Sequence, residues 1–526
     1  MTTPTVRRAD FLMVLAYASD LATGQSRDFA LRSCVLAMRL ADVAGLNLEE
    51  RRNVYHQALL RYVGCNADTH LLAAAFGDEI AMRQDLAHTD LGNHHQLVDV
   101  FVRALNRVFA DAPPDQLAGL IEHGLSHALH TSVPILAGHC EVAKRIGVRI
   151  GLSAELCENL GQVYERWDGH GLPHGLKGDA VKRAVRLVTL AQDAVVLLRL
   201  HGPETMAKMI AERRDGAYEA ALADLFLAHI EALTDGIGAE VDRETILALE
   251  PLPHAVLDEA GCEEAFLAIA DMIDMRMPFT FGHSRAVGAL ADAAARQMGL
   301  PAADIRQARW AGYTHDLGEL SVPVSTWQRP GPLSARDADA ARLHPYHGER
   351  ALAALSGESE AAVAALVLCH HERINGSGYH RWVRGPDLPP GARVLAAAEA
   401  FQTSREDRPH RPALSAAAAA ARLRTAVRDG GLDADAVEAV LTAAGQPSRN
   451  AAPQRLAGLT PREIEVLRLI AAGRTAKEAA RELEISPKTA DNHIQSLYSK
   501  IGVTTRAGAA LYALEHGLVR QGPATA

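Results

Sequence analysis

The chain has 526 residues, enough for two to four domains whose cores need no cross-links. A formal net charge of −10 excludes a molecule that binds polyanions over its whole surface, so any nucleic-acid face must be local. Aromatic residues are only 5% against a hydrophobic content of 48% dominated by alanine, a balance that favours helices over sheets.

The opening segment, MTTPTVRRADFLMVLAYASD, has neither a long apolar region nor a convincing cleavage site, and no apolar run reaches spanning length. A cytosolic protein with no membrane contact is expected. Helical patterns fill residues 9–46, broken by a polar turn at Gly24–Asp28. A glycine-rich loop, Trp167–Gly178, precedes another helix that runs to about Leu200. Residues 204–258 read as a helical connector ended by Pro251 and Pro253, and a second helical block follows over 259–444. The Gly/Pro/polar stretch 445–457 reads as a linker, and 458–521 as a compact helical remainder. Six scattered cysteines, Cys34, Cys65, Cys140, Cys157, Cys262 and Cys369, form no C-x-x-C pair, which fits a reducing compartment.

Laid over each other, the two helical blocks show an internal repeat. Phe11-Leu-Met-Val-Leu-Ala matches Phe266-Leu-Ala-Ile-Ala, and Tyr164-Glu165-Arg166 before Trp167-Asp168-Gly169 matches His371-Glu372-Arg373 before Ile374-Asn375-Gly376. Arg186–Gln192 matches Arg393–Glu399. The copies differ in chemistry. Where the second has His283, His315-Asp316, His370-His371 and Glu399, the first is expected to have Phe29, Gly64-Cys65, Val163-Tyr164 and Gln192. The first block, 1–203, thus reads as a degenerate copy without metal.

In the second block, Leu366-Val-Leu-Cys369-His370-His371 drives two imidazoles onto the end of an apolar helix, where they need partners. Glu399 lies among Val394, Leu395, Ala396, Ala397, Ala398 and Phe401, where a carboxylate is costly unless a cation meets it. Nitrogen ligands mixed with carboxylates suit Fe, Mn or Zn, and this many ligands exceed one tetrahedral zinc. Two ions sharing Asp316 are expected, able to neutralise phosphoryl oxygens and stabilise a leaving oxygen in an in-line displacement.

His283-Ser284, His315-Asp316-x-Gly318, His344-Pro345 and His370-His371-Glu372-Arg373-x-Asn375-Gly376-Ser-Gly378-Tyr379 resemble the HD-GYP branch of the HD phosphohydrolase superfamily. The resemblance implies an all-helical fold, a di- or trinuclear iron or manganese centre and hydrolysis of cyclic di-GMP. It implies that His283, His315, His344, His370 and His371 are metal ligands, that Asp316 bridges, and that Glu399 stands where the family has aspartate. His315 and Asp316 are then the catalytic pair. Glu319, Arg373, Asn375, Gly376, Gly378, Tyr379, Arg408 and Arg411 are the implied substrate contacts. This chain departs from the pattern at Glu319, where the family's lysine meets phosphate, and at Asn375 and His380 in the loop. An anion at 319 is expected to repel a phosphodiester.

Near the C-terminus, Thr460-Pro461-Arg-Glu463 opens a helix that a glycine stop ends at Gly473. A second helix spans 476–483, and Ser486 caps a third from Pro487 to about Ile501. That geometry places a polar helix in a major groove. Asn492 and Gln495 suit base edges; Lys488, Thr489 and Lys500 suit phosphates. Residues 459–519 resemble the LuxR-type helix-turn-helix family, through Leu459-Thr-Pro-Arg-Glu463, Lys477-Glu478-Ala-Ala480, Lys488-Thr489, Asn492-His493 and Lys500-Ile-Gly-Val503. The resemblance implies double-stranded DNA binding as a homodimer through a closing helix around 507–517.

The expected architecture is therefore all-α: tandem helical HD-GYP-like domains followed by a small helix-turn-helix domain. The expected function is a DNA-binding transcriptional regulator with a metal-dependent phosphohydrolase or nucleotide-sensing domain. An active cyclic di-GMP phosphodiesterase with an accessory DNA-binding tail, or a catalytically silent nucleotide sensor, are the alternatives.

Overall fold

Side-chain caps open many of the helices, and alanine fills their interiors. Asn47 closes a capping box with Glu50 at the head of helix Leu48–Leu60, and Asp258, Ser415 and Asp433 each accept an amide proton at the heads of Glu259–Asp274, Ala416–Arg428 and Ala434–Ala443. The computed structural model describes residues 6–67, 69–355, 357–446, 459–471, 474–503, 509 and 512–513. Among these the architecture is all-α, apart from a two-residue antiparallel pairing of Val6 with Leu257 and Arg7 with Val256. No described helix is long and apolar enough to cross a membrane.

Contacts divide the chain into two units, Met1–Gln446 and Pro447–Ala526. Both helical blocks lie in the first and share one core that runs from Val6 to Leu441. Phe11 meets Phe266 edge-on at 5.0 Å, and Phe266 stacks on Trp310 at 4.7 Å, so the aromatic pair legible in the repeat is a contact between the copies. The segment 204–258 is packed rather than slack. Arg243 donates to Asp10 and to the Ala354 carbonyl, tying connector, first block and second block together. The sequence boundary at 203 coincides with a break within Arg183–Glu212, where Gly202 takes the non-helical φ +79° beside Pro203 and one helix gives way to another. The second of these buries Met206 and Ile210 in the same core.

The internal repeat is visible in hydrogen bonds. Asp20 accepts from the Ala30 amide, and Asp274 accepts from Ser284 at the same spacing. Glu165 accepts from the His174 and Leu176 amides; Glu372 accepts from Arg381 and Val383, again nine and eleven residues on. At Gly64 a Cβ would strike the His139 carbonyl, and at Gly318 it would strike that of His344. These pairs fix the register. Arg61 and Tyr62, not Gly64 and Cys65, stand where the second copy has His315 and Asp316, because Gly64 is the counterpart of Gly318. His139 is the counterpart of His344.

In the second unit, helices Pro461–Ala471, Ala476–Glu482 and Pro487–Ile501 pack around Leu459, Val466, Leu467, Ile470 and Leu497. Gly473, the linker from 447 and nearly all of the closing helix expected at 507–517 lie outside the described residues.

Candidate metal centre and DNA-reading helix

Five elements converge on Asp316. His283 opens helix His283–Gln297, His315 follows helix Ala302–Thr314, and His344 opens His344–Leu352. His370 and His371 follow Glu358–Cys369, and Glu399 sits within Pro390–Ser404. Asp316 Oδ2 lies 3.2 Å from His315 Nε2 and 3.6 Å from His283 Nε2; its Oδ1 lies 3.6 Å from His344 Nε2 and 3.8 Å from His370 Nε2. The donor atoms form two groups, Asp316 with His344, His370 and His371, and His283 with His315 and Glu399. One carboxylate thus faces two nests of imidazoles, one per oxygen.

The outer faces of the rings decide what the inner faces can be. His315, His344 and His370 direct Nδ1 at the carbonyls of Gly312, Ala341 and Val367, at 2.9, 2.7 and 2.6 Å. His283 directs Nδ1 at the Glu406 carboxylate, 2.9 Å away. These acceptors fix the proton on Nδ1 and leave Nε2 free for a cation. His344 and His370 then bring their Nε2 atoms to 2.9 Å of each other. Burial pushes both of these histidines down, and with each Nδ1 on a carbonyl the two Nε2 atoms are placed to share a cation. Burial also pushes His371 down. For His315, burial acts downward, but the charge of Asp316 wins and lifts it to about 9. Burial disfavours the Asp316 carboxylate, yet the surrounding histidines hold it well below the usual range. A buried carboxylate ringed by imidazole nitrogens fits a divalent transition metal in ligand type.

Burial, then the charge of Asp316, push the Glu319 carboxyl well above the ordinary range, against the pull of Arg408, His315 and Arg276. The residues named for substrate contact are largely occupied by the protein itself. Asn375 donates to the Asp429 carbonyl and accepts from the Ser377 amide, shaping its loop. Gly376 is required by φ +77°, and at Gly378 a Cβ would press on the backbone of Glu372 and Arg373. Arg373 donates to the His370 and Glu372 carbonyls, Arg408 to Glu406, and Arg411 to the Thr403 and Glu406 carbonyls. Tyr379 stacks on His371 at 4.7 Å, and its ring lies 6.4 Å from that of His344.

Sequence reasoning missed Glu406, which orients His283, and Asp274, whose carboxylate takes the Ser284 amide and hydroxyl at the head of the same helix. Burial raises Asp274 to about 6. It also missed Glu372 as the anchor of the loop amides. The signal was available for Glu372 and Asp274, since both have a counterpart in the first block.

The third helix of the C-terminal unit starts where Ser486 accepts from the Thr489 amide. Lys488, Thr489, Asn492 and Gln495 are exposed along it. Lys500, also exposed, places its ammonium 2.7 and 2.8 Å from the carboxylate oxygens of Glu463, on the first helix. Glu463 also accepts from Ser496 and caps its own helix through Thr460, and it is held at about 2 despite burial.

Residues 268–435 match the HD domain family model, and residues 457–513 match that of the bacterial regulatory proteins of the luxR family. The chain is 24% identical over 410 residues to 3'3'-cGAMP-specific phosphodiesterase 3 of Vibrio cholerae, covering 77% of this chain and 88% of that protein. A crystal structure of cyclic GMP-AMP specific phosphodiesterases in V. cholerae superposes with a TM-score of 0.58 at 21% identity, over 84% of this chain and 98% of that one, and shares the helical fold. Over 61 residues, 12% of this chain and 28% of the relative, it is 52% identical to the transcriptional regulatory protein MctR of Rhizobium johnstonii. The chain therefore joins an HD phosphohydrolase-like domain to a LuxR-type DNA-binding domain.

Proposed function

We propose that this chain is a cytosolic, dimeric transcriptional regulator whose HD domain holds two divalent transition-metal ions, Fe or Mn, and takes a cyclic dinucleotide as substrate or effector. The observation that carries the reading is the ring of inward-facing Nε2 atoms around Asp316, with His344 and His370 at 2.9 Å. His344, His370 and His371 would hold one ion, His283, His315 and Glu399 the other, with Asp316 between them. Such ions, when bound, supply Lewis acidity toward a phosphoryl oxygen. The chain's own groups orient the ligands: Glu406 fixes the His283 tautomer, and three carbonyls fix those of His315, His344 and His370. Tyr379 covers His371. The relatives' activities support a cyclic dinucleotide, and the LuxR-type unit supports double-stranded DNA as the output partner.

A second reading, a sensor with little turnover, is favoured by the three arginines. Arg373, Arg408 and Arg411 all bond to the protein itself, which occupies donors that a substrate phosphate would use. Metal content and hydrolysis of 3'3'-cGAMP and cyclic di-GMP, measured on one preparation, test both readings. Less than about half an ion per chain after reconstitution with Fe or Mn overturns the metal centre. Metal loading with nucleotide binding but no hydrolysis selects the sensor. A Glu319→Lys variant should tighten nucleotide binding, by about 1–3 kcal/mol if the ammonium reaches the phosphate.

A further inference from the structure

The degenerate copy keeps a cavity where the second copy has its metal ligands. It measures about 240 Å³, well above the roughly 150 Å³ of a cavity that takes a benzene. Phe29, Leu72, Leu97 and Phe101 supply its apolar wall. Among the described residues no metal nest remains: Phe29 replaces His283, Tyr62 replaces Asp316, and His139 uses both ring nitrogens, on the Tyr164 hydroxyl and the Ala67 carbonyl. What stands at the position of His315 is Arg61.

Arg61 lines the cavity and is only 8% exposed, and its Nε and Nη1 are buried without a hydrogen-bond partner. Among the described residues it has no ion pair. The Tyr62 ring lies 5.5 Å from its guanidinium carbon. An arginine does not escape burial by losing its proton, as a lysine can, so an unmatched guanidinium here carries a standing desolvation cost. The other charged groups around the cavity have hydrogen-bonding partners. Arg166 pairs with Asp90, Arg213 with Asp193, and the Glu165 carboxylate takes two loop amides. Arg83 donates to carbonyls and to Thr69. The Thr189 hydroxyl also lines the cavity, buried and without a partner.

We propose that this cavity is a binding site, separate from the metal centre, for a small amphipathic monoanion: a carboxylic acid whose carboxylate meets Arg61 and whose apolar body of about ten carbons fills the wall. The copy that lost its ions has kept a fixed cation at the same place, which conserves attraction for an anion while removing metal chemistry.

Titration calorimetry on the full chain tests this with decanoate as the probe and 1-decanol as its uncharged counterpart. Decanoate should bind once per chain, at least tenfold more tightly than decanol. Arg61→Met should weaken decanoate at least tenfold and erase that preference. Ala87→Leu, which fills the cavity from its wall without changing charge, should abolish both, while Asp316→Ala should leave both intact. Absence of saturable binding overturns the proposal, as does unchanged affinity in Arg61→Met. Loss in Asp316→Ala with retention in Arg61→Met places the acid at the metal centre and overturns it too. Should Arg61→Met fail to fold by circular dichroism, Ala87→Leu decides: unchanged decanoate binding in that variant overturns the proposal.

Discussion

Replacing Glu79 by alanine should cost about 3–5 kcal/mol of stability, the cost of removing one partner from a buried ion pair. Glu79 is fully buried and its partner Arg276 is 1% exposed, so neither charge has water to fall back on. The carboxylate accepts from Arg276 Nη2 at 2.9 Å and from the Val324 amide at 3.0 Å. Arg276 in turn donates to the carbonyls of Glu319 and Val322. The pair therefore ties a helix of the first block, Glu79–Leu86, to the turn that follows His315 and Asp316. In the variant, a guanidinium remains among carbonyls with no anion to offset its burial. Glu79→Gln keeps an acceptor and should lose only about 1–3 kcal/mol. The double variant Glu79→Met with Arg276→Met should recover much of the loss, because the stranded charge leaves with its partner. Urea unfolding followed by tryptophan fluorescence reads this directly, since Trp167, Trp310, Trp327 and Trp382 all lie in the first unit. The reasoning is refuted if Glu79→Ala loses less than about 1 kcal/mol, or if the double variant is no more stable than Glu79→Ala alone.

Glu406→Ala frees His283 Nδ1 from the carboxylate that orients it; metal affinity measured by competition with a chelator should fall roughly 10- to 100-fold. Glu463→Gln weakens the contact with Lys500 and Ser496; at neutral pH, hydrogen exchange of the amides in 461–501 should accelerate on the order of 5- to 150-fold, for a loss of about 1–3 kcal/mol. The same contact sets a pH dependence. A carboxyl held at about 2 in the folded domain, against an unfolded value of about 4.3, contributes stability that is fully present above the unfolded value. That stability is lost as pH falls from there toward about 2, and Glu463→Gln should flatten this part of the acid unfolding curve. Lys488→Ala should weaken binding to all DNA sequences alike and lower the slope of log affinity against log salt by about 1, whereas Gln495→Ala should change sequence preference; equal effects of both on every sequence would remove the division into phosphate and base contacts.

The sequence by itself determined the helical class, the repeat, the residues His283, His315, Asp316, His344, His370, His371 and Glu399, and the three capped helices of the C-terminal unit. These rest on local chemistry: capping residues next to the amides they satisfy, apolar periodicity, and imidazoles stranded on an apolar helix end. What only the tertiary structure decided depends on residues far apart in the chain. Glu79 meets Arg276 across 197 positions, and His283 meets Glu406 across 123, so no window of sequence could pair them. The register of the degenerate copy was set by backbone approach at Gly64 and Gly318, a distance rather than a residue type, and that approach turned Arg61 into the counterpart of His315. The protein partners of Lys500, Asn375 and the three arginines were decided in the same way. A polar side chain announces in sequence that it needs a partner; whether a neighbouring element or an external ligand supplies one is fixed only when the helices pack.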